Sequence, residues 1–196
     1  MRIPGWMKWI LVTPIFWWMV IHPMWVVDEW TKTPEYFRGH IRELTSPERL
    51  GRVNEMRGMG GEGARWWFNK GWVGADEVFS LLTLLSPRIY FQAGDGSRIS
   101  PPGVEPAPGI LAIFWAAGIV VSLKKNSWRP FAVAVAGAVA AWTVGGVRMA
   151  FLLPVSAAYL FMVNEGAMAV LGQKQKWLWL IMATVCVYLM GRALWL

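Results

Sequence analysis

Cysteine is almost missing from this chain. Cys186 is the only one, so no disulfide can close within the chain and no cysteine-based metal set can form. Histidine is nearly as scarce: His22 and His40 stand alone, far apart, with no second ligand at helical spacing. A bis-histidine haem or a zinc site held by one chain is therefore not expected. A Ser-His-Asp constellation is not expected either. No catalytic set, metal or cofactor follows from the residue types present. Acids are confined to the middle of the chain. Residues 28–107 hold ten Lys/Arg and eleven Asp/Glu, whereas all the rest has nine basic residues and one acid, Glu165. The net charge of +7 thus sits mostly at the edges of apolar runs, where basic residues set membrane orientation. That placement speaks against direct nucleic-acid binding.

What the chain has in abundance is uncharged hydrocarbon. Hydrophobic residues make up 56% of it, segregated into runs. Gly109–Leu123, Pro130–Val147, Met149–Val163 and Trp177–Gly191 carry no charge, and neither do the 19 residues from Trp9 to Val27. At 1.5 Å per residue the last run reaches about 28 Å as a helix, against a hydrocarbon core of about 30 Å. Trp is frequent at run ends (Trp6, Trp9, Trp25, Trp30, Trp128, Trp177, Trp179, Trp195), as expected of an indole at a membrane interface.

Arg2 and Lys8 precede the first run, and Asp28 and Glu29 follow it. This order puts the N-terminus in the cytoplasm and makes the run an uncleaved anchor. Later crossings are expected at Pro108–Leu123, Pro130–Val147, Met149–Leu171 and Trp177–Leu196. The basic loops Lys124–Arg129 and Gln173–Lys176 then both fall inside. The fold class expected is all-α, a polytopic protein of the bacterial inner membrane with about five transmembrane helices. Residues 1–27 form the anchor, 28–107 an extracytoplasmic helical segment, and 108–196 a membrane bundle.

In the external segment, Thr33-Pro34-Glu35 and Ser46-Pro47-Glu48 read as helix starts, with cap, proline and early acid. Phe37, Ile41 and Leu44 form one apolar stripe, and Leu50, Val53 and Met56 a second. Arg38, Arg42, Arg49 and Arg52 are assigned to the wet faces. A third helical segment is expected from near Ala64 to Leu85, with a break at Gly71–Gly74, lying on the membrane surface through Trp66, Trp67 and Trp72. Residues 92–108, with three glycines and four prolines, read as an extended loop. Gly58–Gly63 matches GxGxxG, but no strand precedes it, so it reads as a linker rather than a dinucleotide site.

Polar residues inside apolar runs are candidates for function. Asn164 and Glu165 are such a pair. Arg148 tempts as a partner for Glu165, but 17 residues on one helix separate them by about 25 Å. Lys125, Lys174 or another subunit suit Glu165 better. Gly137, Ala141 and Gly145 share small-xxx-small spacing, suited to close helix packing.

Ala64-Arg65-Trp66-Trp67-Phe68 leading to Gly71, and Val147–Pro154 opening a late span, give the chain a resemblance to a known family. It resembles the small inner-membrane proteins encoded beside the coupling ATPase in conjugative elements (the TraJ-like family). The long basic cytoplasmic tail is absent here, and the hairpin 108–147 has no counterpart in the likeness. The resemblance implies an accessory subunit of a type IV secretion apparatus that contacts the coupling protein. It implies no catalytic residue.

The function expected is a non-enzymatic membrane subunit of a larger, oligomeric assembly, with lipids and other membrane proteins as partners. Two other classes stay open. One is a small transporter or channel component using Asn164 and Glu165; the other is a membrane subunit of an electron-transfer or light-harvesting complex.

Overall fold

A computed structural model describes residues 5–44, 46–59, 61, 70–100, 104–146 and 148–195. The chain is all-α, with no strand among the described residues.

Proline punctuates the start. A 3-10 helix over Gly5–Val12 is followed by α1 (Pro14–Ile21) and α2 (Pro23–Thr31). Each proline is the first residue of its helix, where its missing N–H costs nothing. Its ring bars the preceding residue from helical geometry. Thr13 is accordingly extended (φ −97, ψ 122), and His22 sits at φ −119, ψ 56. The apolar run Trp9–Val27 is therefore a jointed arm and not one straight helix. His22 stacks on Trp25 at the second joint, with centroids 3.9 Å apart.

Helix α3 spans Thr33–Leu44 and α4 spans Pro47–Met59. The Ser46 hydroxyl accepts the Arg49 N–H at 3.2 Å, the N-cap that the Ser-Pro-Glu pattern predicts. Of the two expected apolar stripes only Val53 is buried; Phe37, Ile41, Leu50 and Met56 remain exposed. Helix α5 runs unbroken from Lys70 to Leu84, through Gly71 and Gly74. Residues 62–69, including Trp66 and Trp67, lie outside the described residues, as does Gly60 of the glycine-rich Gly58–Gly63 segment.

A single wide π-helical turn, Ile89–Ala93, leads into the Gly/Pro segment. That segment is folded onto the bundle, not extended away from it. Ile99, Ser100, Val104 and Ala107 are buried. The Ala107 N–H donates to the Tyr90 carbonyl at 2.9 Å, the Trp18 indole to the Arg98 carbonyl at 2.7 Å, and the Gly109 N–H to the Glu105 carboxylate at 2.7 Å.

The apolar block forms α6 (Leu111–Lys124), α7 (Arg129–Thr143), α8 (Leu153–Leu171) and α9 (Gln175–Trp195). One helical stretch, Leu153–Trp195, is long and apolar enough to cross a membrane, with a mean hydropathy of 1.6; α6 and α7 are shorter apolar helices. Gly172, at φ 53, breaks that stretch between α8 and α9. Helix α8 is the axis, with buried residues on several faces, whereas α9 buries only Met182, Cys186 and Met190.

The arm lies between α8 and α9. Trp9 meets Asn164 on α8, and the Trp179 indole of α9 donates to the Lys8 carbonyl at 2.8 Å. Further along, Trp18 packs against Cys186 and Met190. The arm thus runs parallel to α9 and antiparallel to α8. Trp9 is 1% exposed, so it belongs to the core and not to an interfacial belt.

Candidate functional site

Polar chemistry collects at the two ends of the bundle. At one end is the α6–α7 turn, where Asn126 adopts a left-handed φ of 52. The Lys125 ammonium lies 2.5 Å from the Glu165 carboxylate. Asn164 accepts the Trp9 indole N–H at 3.2 Å. Glu165 is 22% exposed and Lys125 62% exposed, so this ion pair is screened on its lysine side. The structure brings Glu165 to one of the partners named for it from sequence, and Arg148 is at the opposite end.

That opposite end is built by residues 144–146 and 148–152. Gly145 and Gly146 have φ of 90 and 107, a conformation open to glycine at no steric cost. Gly145 is thus a turn residue, which corrects its assignment to a helix-packing stripe. Gly137 and Ala141 do face the core. A Cβ on Gly137 would lie 3.0 Å from Pro154 and Val155, and Ala141 is fully buried. Arg148 stacks its guanidinium 3.7 Å above the Tyr36 ring and pairs with Glu29 at 3.4 Å. The Tyr36 hydroxyl donates to the same Glu29 carboxylate at 3.0 Å. Burial, then the Glu29 bond, pushes the Tyr36 phenol above its ordinary value, while the Arg148 charge works the other way. Asp95 accepts the Met149 N–H at 2.6 Å and also the amide and hydroxyl of Ser97, which clamps the Gly/Pro segment onto the turn.

Beside this turn four elements converge on a cavity of about 550 Å³. Its wall on α4 is the stripe Arg49, Arg52, Val53 and Met56; on α5 it is Trp72, Asp76, Glu77, Ser80, Thr83 and Leu84. Both follow helical spacing. Helix α3 adds His40 and Glu43, and α7 adds Trp142. Arg49 reaches across to Asp76 at 2.6 Å and to Glu77. Glu77 also accepts the Trp142 indole N–H at 2.8 Å. Arg49 is 15% exposed, so its assignment to a wet face is corrected. The arginine packs inward because two carboxylates from α5 meet it there. The His40 ring sits edge-on to Trp142, centroids 5.2 Å apart, and its Nε2 is buried without a hydrogen-bond partner. Trp72, expected at a membrane surface, is part of this wall.

A second, apolar groove of about 690 Å³ runs between the arm and α8, with Phe16, Val20 and Val26 on one side and Ser156, Tyr159 and Leu160 on the other. Beneath it Tyr90, Phe91, Trp115 and Tyr159 form one aromatic cluster. Among the described residues no three of His, Cys, Asp and Glu come together as metal ligands would.

Sequence reasoning missed two residues that set the bundle's geometry, Gly118 and Gly166, as well as the inward turn of Arg49. Gly166 has no small residue four positions away, and Gly118 has only Ser122, a shorter pattern than Gly137, Ala141 and Gly145. For Arg49 the only local sign was that it shares a helical stripe with Val53 and Met56. Compared with protein-family models, with curated proteins and with solved structures, the chain matches none.

Proposed function

We propose that the chain is a non-enzymatic, multi-pass subunit of a larger assembly in the bacterial inner membrane, crossing it about five times with its N-terminus inside. The observation that carries this reading is apolar surface left uncovered on two separate parts. Around the bundle, Ile113, Val120, Val133, Val135, Leu180, Ile181 and Val187 are exposed on α6, α7 and α9, the pattern of helices that face lipid. On α5, outside the proposed spans, Val78, Phe79 and Leu82 are 55%, 62% and 53% exposed. They lie on a different side of the helix from its cavity wall. A soluble surface rarely keeps such a patch unless a partner covers it. The shared end of the two basic turns, linked by Lys125 to Glu165 and by Trp179 to Lys8, supports the orientation.

The specific assembly we propose is a conjugative DNA-transfer (type IV secretion) apparatus, with the coupling ATPase as the contacted partner. This part rests on the likeness of 64–71 and 147–154 to the TraJ-like proteins. The test is purification in mild detergent of the tagged chain and of a Phe79→Glu variant. The wild type should run as a stoichiometric complex, and the variant as a folded single chain. A wild type that is a clean monomer would sink the reading. A complex without a coupling ATPase would sink only its specific part.

A further inference from the structure

The cavity bounded by α3, α4, α5 and α7 has charges left over. Arg49 bridges Asp76 and Glu77, which leaves one carboxylate charge in excess, and Glu77 in addition holds the Trp142 indole. These groups make a finished floor. Arg52 and Glu43 line the same cavity from α4 and α3, and among the described residues neither side chain has an ion-pair or hydrogen-bond partner. They carry opposite charges but do not meet. In the same cavity the His40 Nε2 is buried and unpartnered, which is unfavourable unless something supplies a hydrogen bond. Trp72 and Trp142 give aromatic walls, which suit an ammonium group or an apolar side chain.

We propose that this cavity binds a small zwitterion of the α-amino acid class. The ligand carboxylate pairs with Arg52, its ammonium pairs with Glu43 against an aromatic face, and a polar atom satisfies His40. The two side chains left without an ion-pair partner, Arg52 and Glu43, select this class, over a floor that holds one carboxylate in excess. A simple anion would meet three carboxylates against two arginines, and a simple cation would meet the unpaired Arg52. A neutral molecule with both charges meets complementary groups at both ends. The volume of about 550 Å³ lies within the range of about 300–1,000 Å³ usual for small-molecule sites. The site depends on the cavity alone and stands whether or not the chain belongs to an assembly.

The test uses the purified full chain in detergent micelles. Intrinsic tryptophan fluorescence and thermal stability are titrated with each standard L-amino acid. For any that binds, its C-terminal amide and its N-acetyl derivative are titrated as well. At least one amino acid should saturate. Its amide and N-acetyl forms should each bind about tenfold or more weakly, the loss of one charge-assisted contact. Arg52→Gln should erase the preference for the free acid over the amide. Glu43→Gln should erase the preference for the free amine over the N-acetyl form. Both side chains are exposed and unpartnered, so neither change should disturb the fold. The proposal is overturned if no amino acid saturates, if the amide and N-acetyl forms bind as well as the parent, or if both variants keep the wild-type preferences.

Discussion

Gly118 of α6 and Gly166 of α8 lie so close that neither can carry a side chain. A Cβ on Gly166 would fall 2.7 Å from the Gly118 nitrogen and 1.9 Å from the Phe114 carbonyl oxygen, and one on Gly118 would fall 1.8 Å from that of Met162. These obstacles are backbone, which cannot swing aside. In lipid, helix association depends on such packing. Gly118→Ala and Gly166→Ala should each destabilise the chain by about 1–3 kcal/mol or more, read as a fall in Tm in detergent. A Tm unchanged in both would show that α6 and α8 cross elsewhere.

Two other glycines should behave in the opposite way. Gly39 and Gly51 are exposed inside α3 and α4, and an added Cβ at either meets nothing within 4 Å. Alanine there removes backbone freedom from the unfolded chain at no steric cost. Gly39→Ala and Gly51→Ala should each stabilise by about 0.5–1 kcal/mol. At this chain length that is a rise in Tm of roughly 2–4 °C per kcal/mol. A decrease would mean that α3 and α4 are packed against something at those positions.

The Glu29–Tyr36–Arg148 latch predicts an alkaline transition. The Tyr36 phenol is held above its ordinary value, first by burial and then by the bond to Glu29. The folded state therefore retains that proton more tightly than the unfolded one. Its contribution is full below about pH 10 and is lost as pH rises through the folded pKa. Tyr36→Phe should lower Tm at neutral pH and flatten its decline above about pH 10. Glu29→Gln combined with Tyr36→Phe should cost less than the sum of the single changes by about 0.5 kcal/mol or more. Strict additivity would mean the two side chains do not interact.

The Lys125–Glu165 pair, half open to its surroundings, should matter little for stability. Glu165→Gln is expected to change stability by less than about 1 kcal/mol. The same variant separates the assembly reading from a transporter. Reconstituted vesicles should show no proton- or ion-coupled flux that depends on Glu165. A flux lost in Glu165→Gln would favour the transporter.

Topology can be read with alkaline phosphatase fusions. Those after Arg98 and Leu196 should be active and that after Arg129 inactive. Activity after Arg129 would reverse the placement of both basic turns.

The helix starts were legible because they are local chemistry. Pro14, Pro23, Pro47, Pro130 and Pro154 each stand at the first or second residue of a helix, and Ser46 caps as its spacing suggests. The turns at Lys124–Arg129 and Gln173–Lys176 were visible as charge between apolar runs. What was hidden depends on the meeting of distant segments. Gly118 and Gly166 are 48 positions apart, and their contact follows from the register of two helices, which neither run records. Residues 92–108 read as an extended loop from their glycines and prolines, yet Ile99, Val104 and Ala107 bury against the bundle and Asp95 holds the Met149 N–H. The cavity draws residues from four elements, so Arg49 and Arg52 looked alike in sequence although, among the described residues, one is paired and the other is not.

The jointed arm has a consequence for synthesis. Gly5–Ile21 leaves the ribosome before its partners on α8 and α9 exist. Until Asn164 is made, the Trp9 indole lacks its acceptor; until Trp179 is made, the Lys8 carbonyl lacks its donor. The arm's breaks at Thr13 and His22 leave it short helical pieces that can wait and adjust. Closure then comes when α9 lays Met182, Cys186 and Met190 against a segment translated long before. A nascent chain arrested ahead of α9 would leave the Trp18 side of the arm uncovered, because Cys186 and Met190 are what pack against it.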